Sequence, residues 1–193
     1  MIVIKYDINK PLNRFAQRTL STFSEKMILL LMEKSFEEIT VNELCKLSNY
    51  PRATFYNYFD DKYDLLNYCW GLLCKEIHLD DYKENVTSEK ALFEILNRMY
   101  DFLYNNINKL KSIIHINTID GELISSFIIY LKNQVKDIMK KSPCTKKYDI
   151  PWEIISEHYS NTIILVLEWS FLRNNRLSKE ETNKYIKYLL NGI

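Results

Sequence analysis

Hydrophobic residues recur along the chain at intervals of three or four positions, which is the period of an amphipathic helix. In the stretch "VNELCKLS", one helical face carries Val41, Leu44, Cys45 and Ser48, and the polar residues between them face away. Only three Gly and four Pro occur among the 193 residues, so the chain offers few of the turns that β-hairpins need. We therefore expect an all-α protein.

The same pattern places the helices along the chain. We predict helices over residues 19–34, 40–48, 52–59, a fourth beginning near 62, and others over 88–106, 109–116, 121–141, 151–173 and 178–191. Residues 1–18 are predicted to form an irregular arm ending in Arg14 and Arg18, which could follow a DNA backbone or simply be solvated. The stretch "KSPCTKKYD" at 141–149 is predicted to be a loop. Three regions result: the arm at 1–18, a head at 19–70 and a helical body at 71–193.

Two short helices near the N-terminus are predicted to form a helix-turn-helix. Thr40 and Glu43 have the spacing of a capping box that begins the first of them, and Ser178 with Glu181 repeats it before the last helix of the chain. Asn49 tolerates the left-handed conformation of a tight turn, and Pro51 suits the start of a helix. Helices joined by so short a turn form a helix-turn-helix unit.

The second short helix has two different faces. Phe55 and Phe59 lie close together on the helical wheel and can anchor it to a core, and Tyr56 lies beside them. The outward arc carries Ala53, Thr54, Asn57 and Tyr58. An amide can pair with an adenine edge, a methyl group can touch thymine, and a phenol can donate to phosphate. Lys62 opens the next helix, where a cation is unfavourable because it opposes the helix dipole. A nearby phosphate would compensate for this cost.

These residues resemble the DNA-binding domain of TetR-type transcriptional regulators, especially in "ITVNELC", "RATFYNYF" and "DKYDLL", over residues 19–69. The resemblance implies a three-helix DNA-reading head on a divergent helical body that dimerises and usually senses a ligand. It implies phosphate contacts for Thr40, Tyr56, Tyr58 and Lys62. It also implies positions near bases for Arg52, Ala53, Thr54 and Asn57. The chain departs from the family at Asn49, where Gly is common, and at Tyr58, where His is frequent.

The long helix that begins after Pro151 is apolar almost all round. One face carries Trp152, Ile155, Tyr159, Ile163 and Val166, and another carries Ile154, Leu165, Trp169 and Leu172. A body of this size has limited room to bury both faces, so one could meet a second subunit. We predict a homodimer through Ile155, Tyr159, Ile163, Val166, Tyr185, Ile186 and Leu189, forming an intersubunit four-helix bundle. A fully central core helix is the alternative.

A ligand pocket in the body is a weaker expectation. Candidate lining residues, which are polar or aromatic within apolar helices, are Tyr100, Tyr104, His115, Trp152 and His158. For each of them a satisfied core position or a surface position is the favoured interpretation. The three His show no metal-binding spacing, and no nucleophile, phosphate-loop or dinucleotide motif occurs. We therefore expect no metal, no cofactor and no enzymatic activity.

Charge and cysteine usage are consistent with a cytoplasmic protein but name no partner. The net charge is +1, too small to indicate nucleic acid by itself. The four Cys form no C-x-x-C pair and are expected to be reduced thiols. We see no signal peptide and no long apolar span.

The sequence thus predicts a dimeric, sequence-specific DNA-binding transcriptional regulator that acts on a near-palindromic operator. We expect it to be a repressor controlled by a small-molecule effector. The alternative is a DNA-tethered interaction protein or coregulator whose body binds a protein partner.

Overall fold

The computed structural model describes residues 13–78, 89–140, 150–173, 175 and 177–191, and these residues form helices joined by turns. The helices are α1 Arg14–Leu31, α2 Val41–Ser48, α3 Arg52–Tyr58, α4 Lys62–Glu76, α5 Glu89–Asn105, α6 Ile107–Ile116, α7 Glu122–Lys140, α8 Trp152–Leu167 and α9 Lys179–Asn191. A 3-10 turn, Phe36–Glu38, lies between α1 and α2, and α8 continues as a π-helix over Glu168–Leu172. The prediction of an all-α protein is confirmed.

The contacts divide the chain into two compact units. The head unit contains the described residues up to Leu73 together with Lys111–Ile124, and the body unit contains Cys74–Leu110 and the described residues from Ser125 onward. Lys111–Ile124 therefore groups with the head, although its position in the chain predicts that it belongs to the body. The functional boundaries at 19–70 and 71–193 stay a prediction.

Helix α1 begins earlier than the sequence pattern indicated. Arg14 and Arg18 lie in its first turns, so the prediction that they end an irregular arm is wrong. The reason is a helix cap: the Asn13 side-chain oxygen accepts a hydrogen bond from the Ala16 backbone N–H at 2.8 Å, which satisfies a donor that the helix leaves unpaired. Ala16 is buried and extends the core-facing side of α1 toward its N-terminus. Residues 1–12 of the predicted arm lie outside the described residues.

The head is built around an aromatic cluster. Phe23 of α1 meets the ring of Phe55 edge to face, with the centroids 5.3 Å apart, and lies 6.3 Å from the ring of Phe59. All three side chains are fully buried. Tyr50 and Tyr68 extend the cluster from its two sides. Aromatic pairs in these orientations stabilise a core beyond the area that they bury, so a small head holds α3 firmly.

The body has its own core, formed by α5, α7, α8 and α9. Its buried residues are mostly aliphatic, for example Leu96, Ile138 and Ile163. Ser178 and Glu181 form both halves of the predicted capping box at the start of α9. The Ser178 N–H donates to the Glu181 carboxylate at 2.8 Å, and the Glu181 N–H donates to the Ser178 hydroxyl at 3.1 Å. The last helix therefore begins where the sequence predicted.

The cysteines of the described residues are buried free thiols: Cys45, Cys69 and Cys74. Burial raises the pKa of the Cys69 thiol to about 12. Cys144 and the predicted loop at 141–149 lie outside the described residues. Across the stretches that the structure describes, no helix combines the length and the apolar character that a membrane span requires.

Candidate nucleic-acid interface

The turn between α2 and α3 has the geometry of a helix-turn-helix. Thr40 caps α2, its hydroxyl oxygen accepting from the Glu43 N–H at 3.2 Å. Asn49 ends α2 in the left-handed conformation with φ 55°, as predicted, and Pro51 takes the cap position before α3 with φ −61°. The Tyr50 N–H donates back to the Cys45 carbonyl across the turn at 3.1 Å. These local bonds fix the direction in which α3 leaves α2.

The capping box at the start of α2 is formed differently from the expectation. The Glu43 carboxylate pairs with the Lys34 ammonium at 2.6 Å and thereby ties α2 to the turn that follows α1. A capping box is instead found one turn earlier, where Ser35 and Glu38 enclose the 3-10 turn. Their S-x-x-E spacing was readable in the sequence, but the break in hydrophobic pattern concealed it.

Helix α3 presents the two faces that its sequence predicted. Phe55 lies within α3, Phe59 follows its end, and both are fully buried. The other face is exposed at Arg52, Ala53, Tyr56 and Asn57 and half-buried at Thr54 and Tyr58. The aromatic anchor thus turns one guanidinium, one amide, one methyl group and several hydroxyls outward. These are the groups that read base edges and donate to phosphates; their contacts with DNA stay a prediction.

Two of the predicted DNA contacts hold each other in place. The Arg52 guanidinium donates to the Tyr56 hydroxyl at 3.1 Å and lies 5.7 Å from the centre of its ring. This hydrogen bond raises the pKa of Arg52 above its already high value. Because the phenol oxygen accepts from Arg52, its own O–H remains oriented away from the guanidinium. The pair is therefore arranged before any ligand binds.

A cleft of about 530 Å³ runs beside this turn. Its walls include Asn42, Cys45, Lys46, Asn49 and Arg52, so α2 and α3 border one concave surface. Burial raises the pKa of Cys45, and the nearby Arg52 works in the opposite direction. The thiol is consequently a neutral, small wall of the cleft at ordinary pH.

Lys62 is placed differently from the expectation of a phosphate contact. Its ammonium donates to the backbone carbonyls of Phe36, Glu37 and Ile39 at 2.8, 2.9 and 3.0 Å. The cap of α4 is Asp61, whose carboxylate accepts from the backbone N–H groups of Tyr63 and Asp64, both at 2.9 Å. An internal cluster of carbonyls thus explains why a cation is tolerated at the start of α4.

The five residues predicted to line an effector pocket do not define one. Tyr100 is buried and its hydroxyl donates to the Leu177 carbonyl at 2.8 Å, so it is a satisfied core residue. Trp152 packs half-buried against the same core, whereas Tyr104, His115 and His158 are exposed. Mixed polarity in an apolar helix marks a core edge as readily as a pocket, and a role of these residues in effector binding stays a prediction.

A different part of the body is concave. A cleft of about 520 Å³ is lined by residues of α4 and α5 and the turn after α4, including Glu76, His78, Arg98, Asp101, Phe102 and Asn105. Arg98 donates to the His78 carbonyl at 3.4 Å. No periodic pattern in the sequence marked these residues, because they come from two segments that meet only in the fold.

The predicted dimer face also needs correction. Ile155, Ile163, Val166 and Ile186 are buried in the core of their own protomer, and Tyr159 packs against that core. They are therefore unavailable to a second subunit, while Tyr185 and Leu189 are exposed. The opposite face of α8 is the uncovered one: Ile154 is 58%, Leu165 54% and Trp169 47% exposed.

Residues 29–69 match the family model of bacterial regulatory proteins of the tetR family. The chain carries a TetR-family DNA-binding domain. The matched segment begins in the second half of α1, includes α2 and α3, and ends in α4, so it contains every predicted DNA contact. No curated protein sequence matches the chain significantly.

The similarity to solved structures covers the body as well as the TetR-family domain. A protein described as a TetR-family transcriptional regulator from Syntrophomonas wolfei has a TM-score of 0.63 at 18% identity, covering 91% of this chain and 94% of that one. The fatty acid degradation regulator FadR from Bacillus halodurans has a TM-score of 0.60 at 16% identity, with 90% and 98% covered. FadR from Bacillus subtilis has a TM-score of 0.61 at 15% identity, also with 90% and 98% covered. These likenesses show a shared fold.

Proposed function

We propose that the chain is a dimeric, sequence-specific repressor of transcription whose helical body responds to a small-molecule effector. The observation that carries the proposal is the construction of α3. Phe55 and Phe59 fasten one side to the core of the head, and the exposed opposite side carries Arg52 and Asn57. A rigid helix with hydrogen-bonding groups on its exposed face suits reading of the major groove.

The proposed dimer uses the exposed side of α8. Ile154, His158, Asn161, Leu165 and Trp169 follow one another at helical spacing, and all are exposed. The neighbouring α9 adds Tyr185, Tyr188 and Leu189. The strip is apolar at Ile154, Leu165 and Trp169 and polar between them at His158 and Asn161. Exposed apolar and aromatic residues on two adjacent helices are typical of an interface between subunits. Two copies packed through it would form a four-helix bundle and place two heads on a near-palindromic site, with half-sites about 34 to 36 Å apart.

The proposed effector site is the 520 Å³ cleft of the body. Its volume is within the usual range for sites of small ligands, roughly 300 to 1,000 Å³. The Bacillus subtilis FadR structure holds stearoyl-CoA, which makes a long-chain acyl-CoA the first ligand to try. Saturable thermal stabilisation that follows the logarithm of ligand concentration would support an effector. Phe102→Trp should weaken that stabilisation by filling the cleft, whereas Tyr104→Ala, at an exposed position, should leave it unchanged.

The sign of regulation is also a proposal. Another structure of similar fold, with a TM-score of 0.55 at 20% identity, is named an activator of the dihydroxyacetone kinase operon. The fold is therefore compatible with activation, and repression is our proposal for this chain. We place the protein in the cytoplasm, where bacterial DNA lies. Expression of a reporter behind the operator, in the presence and absence of the chain, distinguishes the two signs.

Footprinting tests the proposed function directly. The purified protein is bound to the DNA upstream of its own gene and to a genomic fragment library, at physiological salt with excess random competitor. We expect one protected near-palindrome at nanomolar to micromolar protein. Absence of protection across the whole library would contradict sequence-specific DNA binding. It would favour the alternative, an interaction protein whose helical body binds a protein partner.

A further inference from the structure

The side chain of Lys62 closes a structure within the head. Its three ammonium hydrogens have three carbonyl partners, those of Phe36, Glu37 and Ile39, all within 3.0 Å. The ammonium also lies 4.6 Å from the centre of the buried Phe36 ring, a cation–π contact. A lysine ammonium has three donors, so this one is fully engaged inside the head.

Lys62 binds two carbonyls of the 3-10 turn, those of Phe36 and Glu37, and the carbonyl of Ile39, which directly follows the turn. The Phe36 carbonyl also accepts from the Ile39 N–H at 3.2 Å. The end of a helical turn leaves carbonyls without intrahelical partners and carries partial negative charge. An ammonium placed there donates to those carbonyls and is attracted by the partial negative charge. The same turn is held from its other end by Asn117, whose side-chain oxygen accepts from the Phe36 N–H at 2.8 Å while its amide donates to the Leu31 carbonyl at 3.2 Å.

This turn determines where the reading unit begins. Ile39, whose carbonyl Lys62 binds, is followed directly by Thr40, the cap of α2. The Lys62 contacts therefore help to set the direction of α2, together with its packing on α1 and the Lys34–Glu43 ion pair. Helix α2 in turn carries α3 through the Asn49 turn. A small change of angle at Ile39 would move Asn57, at the far end of α3, out of register with a base.

We propose that Lys62 is a positioning residue of the DNA-binding head, which clamps the turn Phe36–Ile39 and orients α2 and α3, and that it is not a phosphate contact. The inference rests on the proposed function for its link to DNA. Moving the ammonium to a phosphate would break its hydrogen bonds to three carbonyls, of which Phe36 alone keeps a second donor in the Ile39 N–H, and would end the cation–π contact with the Phe36 ring. Each lost bond to a charged group disfavours that rearrangement.

Salt dependence separates a positioning role from a phosphate contact. A phosphate contact contributes about 0.9 to the slope of log K against log salt concentration. For Lys62→Met, which keeps the length of the side chain but has no donor, we expect an unchanged slope on operator and on random DNA. Operator affinity should fall roughly tenfold or more, and the ratio of operator to random affinity should fall with it.

Hydrogen exchange supplies a second readout that needs no DNA. In Lys62→Met the backbone amides from Phe36 to Leu44 should lose protection, while those of α1 around Phe23 keep it. Lys46→Met, which removes an exposed charge on α2, is the control and should leave the exchange unchanged. Protection lost from Phe36 to Leu44 while the amides around Phe23 keep theirs would separate a local effect from global destabilisation, which lowers the protection of the whole head.

Two results would overturn the inference: a slope reduced by about 0.9 in Lys62→Met, or unchanged protection from Phe36 to Leu44. A wild-type protein with no preference for any DNA would instead contradict the proposed function. The exchange experiment would still decide whether Lys62 clamps the turn.

Discussion

The head and the body solve the same problem, holding helices together while leaving a surface for a partner, in different ways. In the head, the surface of α3 is fixed by nearby features: the Thr40 cap, the left-handed Asn49 and the Phe55 anchor. In the body, α8 is apolar on both sides, and only packing against α5, α7 and α9 determines that Ile163 points inward and Leu165 outward. A surface built by local contacts can therefore be predicted from the sequence, whereas a surface selected by packing between distant helices cannot.

The largest expected effect is on the aromatic core of the head. Phe55→Ala removes a fully buried ring that contacts Phe23 and should lower the free energy of unfolding by about 3 to 5 kcal/mol. Phe15→Ala is the control, because Phe15 is 65% exposed on α1, and it should change stability by less than about 0.5 kcal/mol. Urea denaturation measures both. Similar losses in the two variants would show that the rings of the head do not form the core described.

The next effect tests the surface of the body. Leu165→Glu places a charge on the exposed face of α8 and should weaken dimerisation by about 2 kcal/mol or more, roughly 30-fold in the dissociation constant. Ile129→Glu, on the 52% exposed Ile129 of α7, should not. Sedimentation equilibrium gives both constants. A wild-type monomer, or a dimer that tolerates Leu165→Glu, would refute the proposed interface.

A smaller effect concerns the turn between α2 and α3. Asn49 has φ 55°, so Asn49→Ala should destabilise the head by about 1 to 2 kcal/mol. Asn49→Gly should be neutral or slightly stabilising, since glycine adopts this conformation without strain. Thermal denaturation of the three proteins tests the order. An alanine variant as stable as the glycine variant would mean that the turn relaxes to another conformation.

The smallest expected effect is on the rate at which iodoacetamide labels the buried thiols. Burial raises the pKa of Cys69 to about 12, so at pH 8 its thiol stays protonated and unreactive until the head opens. In a Cys144→Ser background, iodoacetamide should label Cys69 and the body thiol Cys74 only at the opening rates of their units. Mass spectrometry resolves the two sites. Labelling of Cys69 as fast as a free thiol would show that its surroundings are open in the native state.

Features of the fold that depend on neighbouring residues could be predicted from the sequence. The faces of α3, the conformation of Asn49 and the cap at Ser178 follow local rules and were predicted. The start of α1 was missed by five residues, from Thr19 to Arg14, because one asparagine cap outweighed an irregular pattern.

Contacts between distant parts of the chain could not be predicted. Lys62 and Phe36 are 26 residues apart, and Asn117 and Phe36 are 81 apart. No spacing rule joins such residues. The side of α8 that is exposed could not be predicted for the same reason. Both sides of α8 have the same hydrophobic period, and packing in the body determines which of them is buried.

The measurement that tests the central claim most directly is the effect of Asn57→Ala on DNA binding, position by position. Affinities of wild type and variant are determined at fixed salt for the selected operator, for all its single-base variants and for random DNA. If α3 reads bases through its exposed face, the variant should lose about 1 to 3 kcal/mol on the operator and stop discriminating at one base pair in each half-site. Random DNA should be bound almost as before. Equal losses on operator and random DNA would contradict the claim.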